Sequence, residues 1–390
     1  MGSNILFFTQ SLFYGGDDTV LLELLRAWPE AQDRLTVALN RSHPGRELYA
    51  AALKGKAQLL VLDEATVEEE NTYRWPRLLR PYRFLAGVLR LRRFIRRQAP
   101  DAVLVSSGGW PPTALAWRFL CAARLAGVRR VVLAAHNYPL PAAGGKGLYR
   151  RLAGGLATRL CRDLISVSQD CGRAITGFNL MGRPAGVVAD GMAPRQELQT
   201  AEEKRRELGL PGRLLGAIGN IEERKGYATL LRAMPEVCRH FPDVRLVIIG
   251  AAAEKPCHED LLRLIAQMGL ADKVRLTGFL PNAGRFAECF EICVIPSIAR
   301  ESFGLLALEA MRYAKPVVAA RTGGLPEVVH GEETGLIVAP RDPQALAAAL
   351  CALLENPELA RRMGERGRAL WGEEFSAARM ARRYQELLTR

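Results

Sequence analysis

Short, largely continuous apolar runs recur along the chain, separated by helical stretches. In the first half they fall at 5–9, 35–39, 59–62, 102–106, 131–135, 164–167 and 186–189. In the second half they fall at 214–218, 245–249, 274–277, 292–296, 317–320 and 336–338. Continuous rather than alternating runs indicate strands buried on both faces. Strand–helix alternation over this length implies parallel sheets covered by helices. The series restarts after Asp190-Gly191 and the polar stretch 195–206, which is taken as the domain boundary. The expected fold is α/β, with two Rossmann-like domains in tandem at 1–194 and 195–375. A terminal helix at 376–390 is expected to pack back on the first domain. A length of 390 residues suits two cores better than one.

Ligands of such sheets bind beyond the carboxyl ends of the strands, so the cleft between the domains is the expected site. The glycine-rich and polar turns follow this rule. Gly15-Gly16 follows the first strand, and 220–226 follows the first strand of the second half. Residues 297–304 and Thr322-Gly323-Gly324 follow later ones. Neither opening strand leads into G-x-G-x-x-G, and G-x-x-x-x-G-K-[ST] is missing, which argues against nicotinamide and P-loop chemistry.

The segment E-S-F-G-L-L-A-L-E, from Glu301 to Glu309, spaces two acids eight residues apart. In one continuous helix they would lie about 12 Å apart along the axis and about 80° apart around it, sharing no face. The alternative places Glu301 in a loop, starts the helix near Gly304, and sets Glu309 about a turn inside it. The acids could then hold opposite ends of a long ligand whose anionic middle rests on the helix N-terminus.

Composition adds three points. No apolar run approaches the roughly 20 residues of a membrane span, and the N-terminus lacks a basic leader, so a cytoplasmic location is expected. The eight cysteines are scattered, and Cys257-His258-Glu259-Asp260 lacks a second Cys/His pair. That segment is taken as a solvated helix start and Cys289/Cys293 as packing residues; no metal is expected. The net charge of +13 points to an anionic partner: nucleic acid, membrane or phosphorylated ligand.

Segment 301–311 resembles the E-x7-E motif of the family-4 retaining glycosyltransferases of GT-B fold. Gly219-Asn-Ile-Glu-Glu-Arg-Lys225-Gly226 is similar to that family's G-R-x-x-x-x-K-G loop, and Thr322 to Glu327 resembles its glycine turn. Gly15-Gly16 matches its double glycine and His136-Asn137 its cleft histidine. The resemblance covers nearly the whole chain. It implies an acceptor-binding first domain, a nucleotide-sugar-binding second domain, and retention of anomeric configuration without a metal or other cofactor. Glu301 would accept hydrogen bonds from the donor sugar and Glu309 from the ribose. Backbone N–H groups of Phe303, Gly304 and Leu305 would face the diphosphate, and Lys225 with Arg224 would neutralise it. Gly15, Gly16, Gly323 and Gly324 would line the donor site. Glu301, Lys225 and His136 are the candidate catalytic residues. His136 could equally be a satisfied structural histidine, and Glu327 either contacts the donor or supports the Gly323-Gly324 turn. Asn220 departs from the family's Arg and removes one cation from the leaving-group site. Asp17-Asp18 are read as solvated first-turn acids without chemistry. A sugar-nucleotide epimerase or hydrolase, or a non-catalytic partner subunit, are the alternative functions.

From Tyr73 to Gln98 the chain carries nine arginines and no acid. Between Arg83 and Arg97 a helical wheel groups Phe84, Val88, Leu91 and Ile95 on one side. Arg90, Arg92, Arg93, Arg96 and Arg97 occupy the other. The basic face is either simply solvated or docks on anionic lipid at the inner face of the cytoplasmic membrane. A lipid-linked or soluble glycan acceptor would suit the second case. Nucleic acid is not expected, because no recognised motif accompanies the charge.

Overall fold

The computed structural model describes residues 2–10, 15–62, 80–140, 143–195 and 199–389. Arg74 and Arg77 of the basic stretch lie outside the described residues. The chain divides into two compact units, one of Met1–Ala193 with Ala377–Arg390 and the other of Pro194–Ser376.

Unit 1 opens with β1 (Asn4–Gln10), α1 (Gly16–Arg26), β2 (Arg34–Asn40), α2 (Arg46–Ala52) and β3 (Ala57–Leu62). It continues with α3 (Arg80–Gln98), β4 (Ala102–Ser107), α4 (Ala114–Leu125), β5 (Arg130–Ala135) and α5 (Gly144–Leu160). β6 (Asp163–Ser166), α6 (Gln169–Phe178) and β7 (Gly186–Val187) complete the series. The strands form one parallel sheet in the order β3-β2-β1-β4-β5-β6-β7. Their near-continuous burial follows from helices on both faces. The face of α3 predicted to be apolar is the one that packs: Val88, Leu91 and Ile95 are buried with Phe119 and the β4 valines, and Phe84 lies against them. Arg90, Arg93, Arg96 and Arg97 are exposed, while Arg92 is half-buried and its Nε donates to the Leu125 carbonyl at 3.0 Å.

Unit 2 begins with α7 (Ala201–Leu208), β8 (Arg213–Ile218), α8 (Tyr227–His240), β9 (Val244–Ile249), α9 (Lys255–Gln267) and β10 (Val274–Leu276). Then come β11 (Ile292–Ile295), α10 (Leu305–Arg312), β12 (Val317–Ala320), α11 (Leu325–Val328) and β13 (Gly335–Val338). α12 (Pro343–Glu355) and α13 (Pro357–Glu374) follow, and α14 (Ala377–Thr389) belongs to unit 1. The sheet order is β10-β9-β8-β11-β12-β13, again parallel. α14 buries Met380, Ala381, Tyr384 and Leu388, and its first N–H, at Ala377, donates to the Met192 carbonyl at 3.0 Å.

The stretch 195–206, taken as the domain boundary, carries the start of α7. Thr200 accepts from the Glu203 N–H at 3.2 Å and the Glu203 carboxylate returns to the Thr200 N–H at 2.8 Å, a capping box that starts the helix. Cys257 to Asp260 form the opening turns of α9, and Cys289 and Cys293 are buried as packing residues. Among the described residues no helix is long and apolar enough to cross a membrane.

Candidate active site

In unit 2 the chain order runs outward in opposite directions from β8 and β11, so the switch point lies between their carboxyl ends. Lys225 ends the short turn Glu223–Lys225 that follows β8, and Glu301 lies in the loop after β11. Their side chains meet across the switch point, with Lys225 Nζ 2.8 Å from Glu301 Oε2. Arg224 reaches the same oxygen at 3.5 Å and also binds Glu222 at 2.8 Å. Ser297 Oγ donates to Glu301 Oε2 at 2.9 Å. The loops are joined through the backbone, since the Ile298 N–H donates to the Arg224 carbonyl at 2.8 Å. Gly226 permits this approach: its φ is +70°, and a Cβ there would lie 2.0 Å from the Pro296 carbonyl oxygen.

Glu301 is 8% exposed. Burial alone would push its carboxyl pKa up. Lys225 and then Arg224, with the hydrogen bonds from Lys225 and Ser297, outweigh burial and hold it below the usual range. Two cations face two carboxylates here, Glu222 and Glu301, so the cluster carries no surplus positive charge. Asn220, where a third cation was expected, is exposed. Tyr227 is buried below, its hydroxyl donating to the Gly219 carbonyl at 2.9 Å.

α10 begins at Leu305, as the spacing predicted, with Gly304 as its N-cap and no side chain capping it. The first-turn N–H groups of Leu305 and Leu306 precede any intrahelical acceptor, while that of Ala307 donates to the Gly304 carbonyl at 2.8 Å. Gly304 has φ +99°, and an added Cβ would lie 2.4 Å from Leu325 Cδ2. Leu325 therefore demands the glycine whether or not a ligand approaches. Phe303 is buried edge-on against Phe375, with ring centroids 5.8 Å apart. The Gly324 N–H donates to the Glu301 carbonyl at 2.8 Å, and Thr322 Oγ1 to the Ala299 carbonyl at 3.0 Å, tying the glycine turn after β12 to this loop. Gly323 sits in that turn at φ +56°, and Glu327 lies in the first turn of α11, its N–H bonded to the Gly324 carbonyl. Glu309, one turn into α10, pairs with Arg312 and abuts Gly284. Their i, i+3 spacing on a helix was the legible signal of that pair.

Gly15, Gly16 and His136 belong to unit 1. Gly15 precedes α1 and its N–H donates to Asp18 Oδ2 at 3.1 Å; Gly16 opens the helix. His136 follows β5 and is buried, with Nε2 3.1 Å from Ser106 Oγ and Nδ1 without a hydrogen-bond partner. Burial lowers its pKa to about 4 against the opposing field of Asp18, so the imidazole is neutral at pH 7. Asn137 Nδ2 donates to the Gly108 carbonyl at 2.6 Å.

The expectation for Asp18 is overturned. It is fully buried rather than solvated, with Tyr49 donating to Oδ1 at 3.1 Å and His43 Nε2 3.0 Å from the same atom. The Gly45 N–H donates to His43 Nδ1 at 3.1 Å, which leaves the ring proton on Nε2, facing the carboxylate. Both partners come from sequence-distant elements, so a first-turn acid looked like an ordinary dipole residue. Ser297, Glu222 and Asp190 were also missed. Asp190 is buried, and burial, reinforced by Asp17, pushes its pKa up to about 8.

The profile of the glycosyl transferases group 1 matches residues 200–370, and that of glycosyltransferase family 4 matches residues 14–192. The D-inositol 3-phosphate glycosyltransferase of Corynebacterium jeikeium is 35% identical over 215 residues, 52% of this chain and 51% of that protein. The chain thus spans about half the length of this relative. The GDP-mannose-dependent alpha-(1-6)-phosphatidylinositol monomannoside mannosyltransferase of Mycobacterium tuberculosis is 30% identical over 313 residues, 75% of this chain and 78% of that protein. In fold, the chain is similar to Anabaena Alr3699/HepE, solved with UDP and glucose, at a TM-score of 0.80 with 22% identity and 98% of each chain covered. With two parallel-sheet Rossmann-like domains and both profiles matched in order, this chain belongs to the family-4 glycosyltransferases, the glycosyl transferases group 1, of GT-B fold.

Proposed function

We propose that this protein transfers a hexose-type sugar, with retention, from a nucleoside diphosphate to a hydroxyl of a glycolipid, polysaccharide precursor or small molecule. The observation that carries this is the Lys225–Glu301–Arg224 cluster across the switch point of unit 2, beside the uncapped start of α10. A diphosphate on that helix start would meet N–H groups and two cations, while Glu301 accepts hydrogen bonds from the donor sugar. The bond from the anomeric carbon to the phosphate oxygen breaks, and one to the acceptor oxygen forms on the same face. The acceptor's proton leaves on the departing phosphate. Lys225 and Arg224 stabilise the charge that develops there, so the chemistry needs no metal. Glu309 and the Gly323-Gly324 turn complete the donor site, and His136 offers a neutral imidazole to a substrate hydroxyl. The names of the relatives, which refer to inositol phosphate and phosphatidylinositol mannoside, support a polyol or lipid-linked acceptor. Incubation with a panel of nucleotide sugars and such acceptors, with and without chelator, tests this. Sugar transfer that survives chelation and keeps the donor's anomeric configuration is expected. Donor consumption without transfer would overturn it in favour of a hydrolase or epimerase.

The exposed arginines of α3, flanked by Leu85 and Leu89 at 54% and 40% exposure, support peripheral docking on an anionic membrane at its cytoplasmic face. Each arginine contributes about 1 kcal/mol near such a surface. The protein is expected to sediment with anionic but not neutral vesicles, less so as salt rises, and the Arg90→Glu/Arg93→Glu/Arg97→Glu variant to stay in solution. Equal binding to neutral vesicles, or a triple variant that still sediments, contradicts this.

A further inference from the structure

A second basic feature lies in unit 1, beside the end of α4 whose Leu125 carbonyl Arg92 touches. Arg124, Arg129, Arg159, Cys161, Arg162 and Arg183 line a pocket of about 380 Å³. That volume falls within the range of small-molecule sites. The pocket sits where α4 and α5 end and β5 and β6 begin, at the amino ends of the strands. His136 lies at the opposite end of β5, about 20 Å away at the rise of a strand.

Two of the five arginines build the wall. Arg183 donates to the Thr158 carbonyl through Nε at 3.1 Å and Nη2 at 2.7 Å, and also to the Cys161 carbonyl. Arg124 leans on the Val128 and Arg129 carbonyls at 3.4 Å each. Cys161 is wall as well, since burial, against the field of Arg183, pushes its thiol up to about 12. Arg129, Arg159 and Arg162 are exposed. Neither Arg129 nor Arg159 has an acid or carbonyl partner among the described residues, and Arg162 has only Asp163 at 3.6 Å. Attraction to the ends of α4 and α5 accounts for arginines that bond terminal carbonyls. It does not account for Arg129 and Arg162, which lie beyond those helices. Five guanidinia facing one carboxylate repel one another unless an anion joins them, and their planar forks match phosphate oxygens two at a time.

We propose that this pocket binds a multiply charged phosphate, a phosphate monoester or diphosphate group, at a site separate from that of Lys225. The group could sit on a soluble ligand or on a lipid headgroup, and the two arms of the test distinguish them. The first arm titrates inorganic pyrophosphate calorimetrically into the Lys225→Ala protein, in which the other diphosphate candidate is weakened. One site is expected, weakened about tenfold or more for each guanidinium removed in Arg129→Ala/Arg159→Ala/Arg162→Ala. The corresponding triple lysine variant, which keeps the charge and loses the fork, should bind with intermediate affinity. The second arm compares phosphatidylcholine vesicles carrying phosphatidic acid with vesicles of matched charge carrying phosphatidylglycerol. A preference for phosphatidic acid that the triple alanine variant loses assigns the monoester to lipid. Pyrophosphate binding without such a preference assigns it to a soluble ligand. The proposal is overturned if the Lys225→Ala protein does not bind pyrophosphate, or if the triple alanine variant, with an unchanged thermal midpoint, binds it as tightly.

Discussion

Glu301 and Glu309 differ in what holds them, and that difference sets what each substitution should do. Glu301 is buried under Lys225, Arg224 and Ser297, so Glu301→Gln keeps the packing and removes the charge that orients both cations. We expect kcat to fall on the order of a hundredfold, with a smaller change in donor affinity. Glu309 is paired with the buried Arg312. Glu309→Gln can still accept from Arg312, and it should weaken donor binding by about tenfold with little change in kcat. Steady-state kinetics separate the two, and wild-type parameters in both variants contradict the assignment. Asn220 adds a third test. The two cations of the cluster are already matched by Glu222 and Glu301, so Asn220→Arg should tighten nucleoside-diphosphate binding by about 1 kcal/mol. Unchanged or weaker affinity in a binding titration would mean that the added guanidinium does not reach the diphosphate. The motif residues were legible because glycine and paired acids at fixed spacing have few uses. Ser297, Asp18 and His43 were not, because their partners arrive only with the fold.

At the scale of elements, the strand pattern carried far: all thirteen apolar runs became strands, most of them with a residue or two of extension. β10 and β11 end one residue short, and β7 is reduced to Gly186–Val187 at the sheet edge, where one neighbour supplies all the pairing. The helix at 201–208 was missed because its capping box sits inside a charged run, which was read as the domain boundary. The segment joining β7 to unit 2 carries Asp190, which faces Tyr384 of α14 in a common buried environment. This makes unit 1 sensitive to pH. The folded state holds the Asp190 proton up to about pH 8, whereas the free carboxyl loses it near 3.8, so this contribution is lost as pH rises between those values. His136 acts in the opposite sense: its ordinary pKa is 6.5 and the folded value about 4, so stability is lost as pH falls through that window. The two oppose each other below 6.5, and from 6.5 to 8 Asp190 acts alone. Stability from urea unfolding should therefore fall across that upper window, by up to about 1.4 kcal/mol per pH unit. Asp190→Asn should flatten the fall, and an identical slope in that variant contradicts the assignment.

At the scale of the molecule, two parallel sheets of seven and six strands were legible from periodicity. The proposed ligand class rests on switch-point loops that carry glycines and acids instead of a dinucleotide fingerprint. The +13 charge was legible only as a sum. The fold divides part of it between the exposed face of α3 and the arginines around the α5–β6 junction, positions that no linear reading brings together. The central claim is that Lys225, fixed by Glu301 across the switch point of unit 2, holds the diphosphate of a sugar nucleotide. Calorimetric titration of UDP and GDP into the wild type and into Lys225→Ala tests it most directly. At least one of the two is expected to bind the wild type, and to bind Lys225→Ala about tenfold or more weakly at an unchanged thermal midpoint. Equal affinity for both proteins would contradict it.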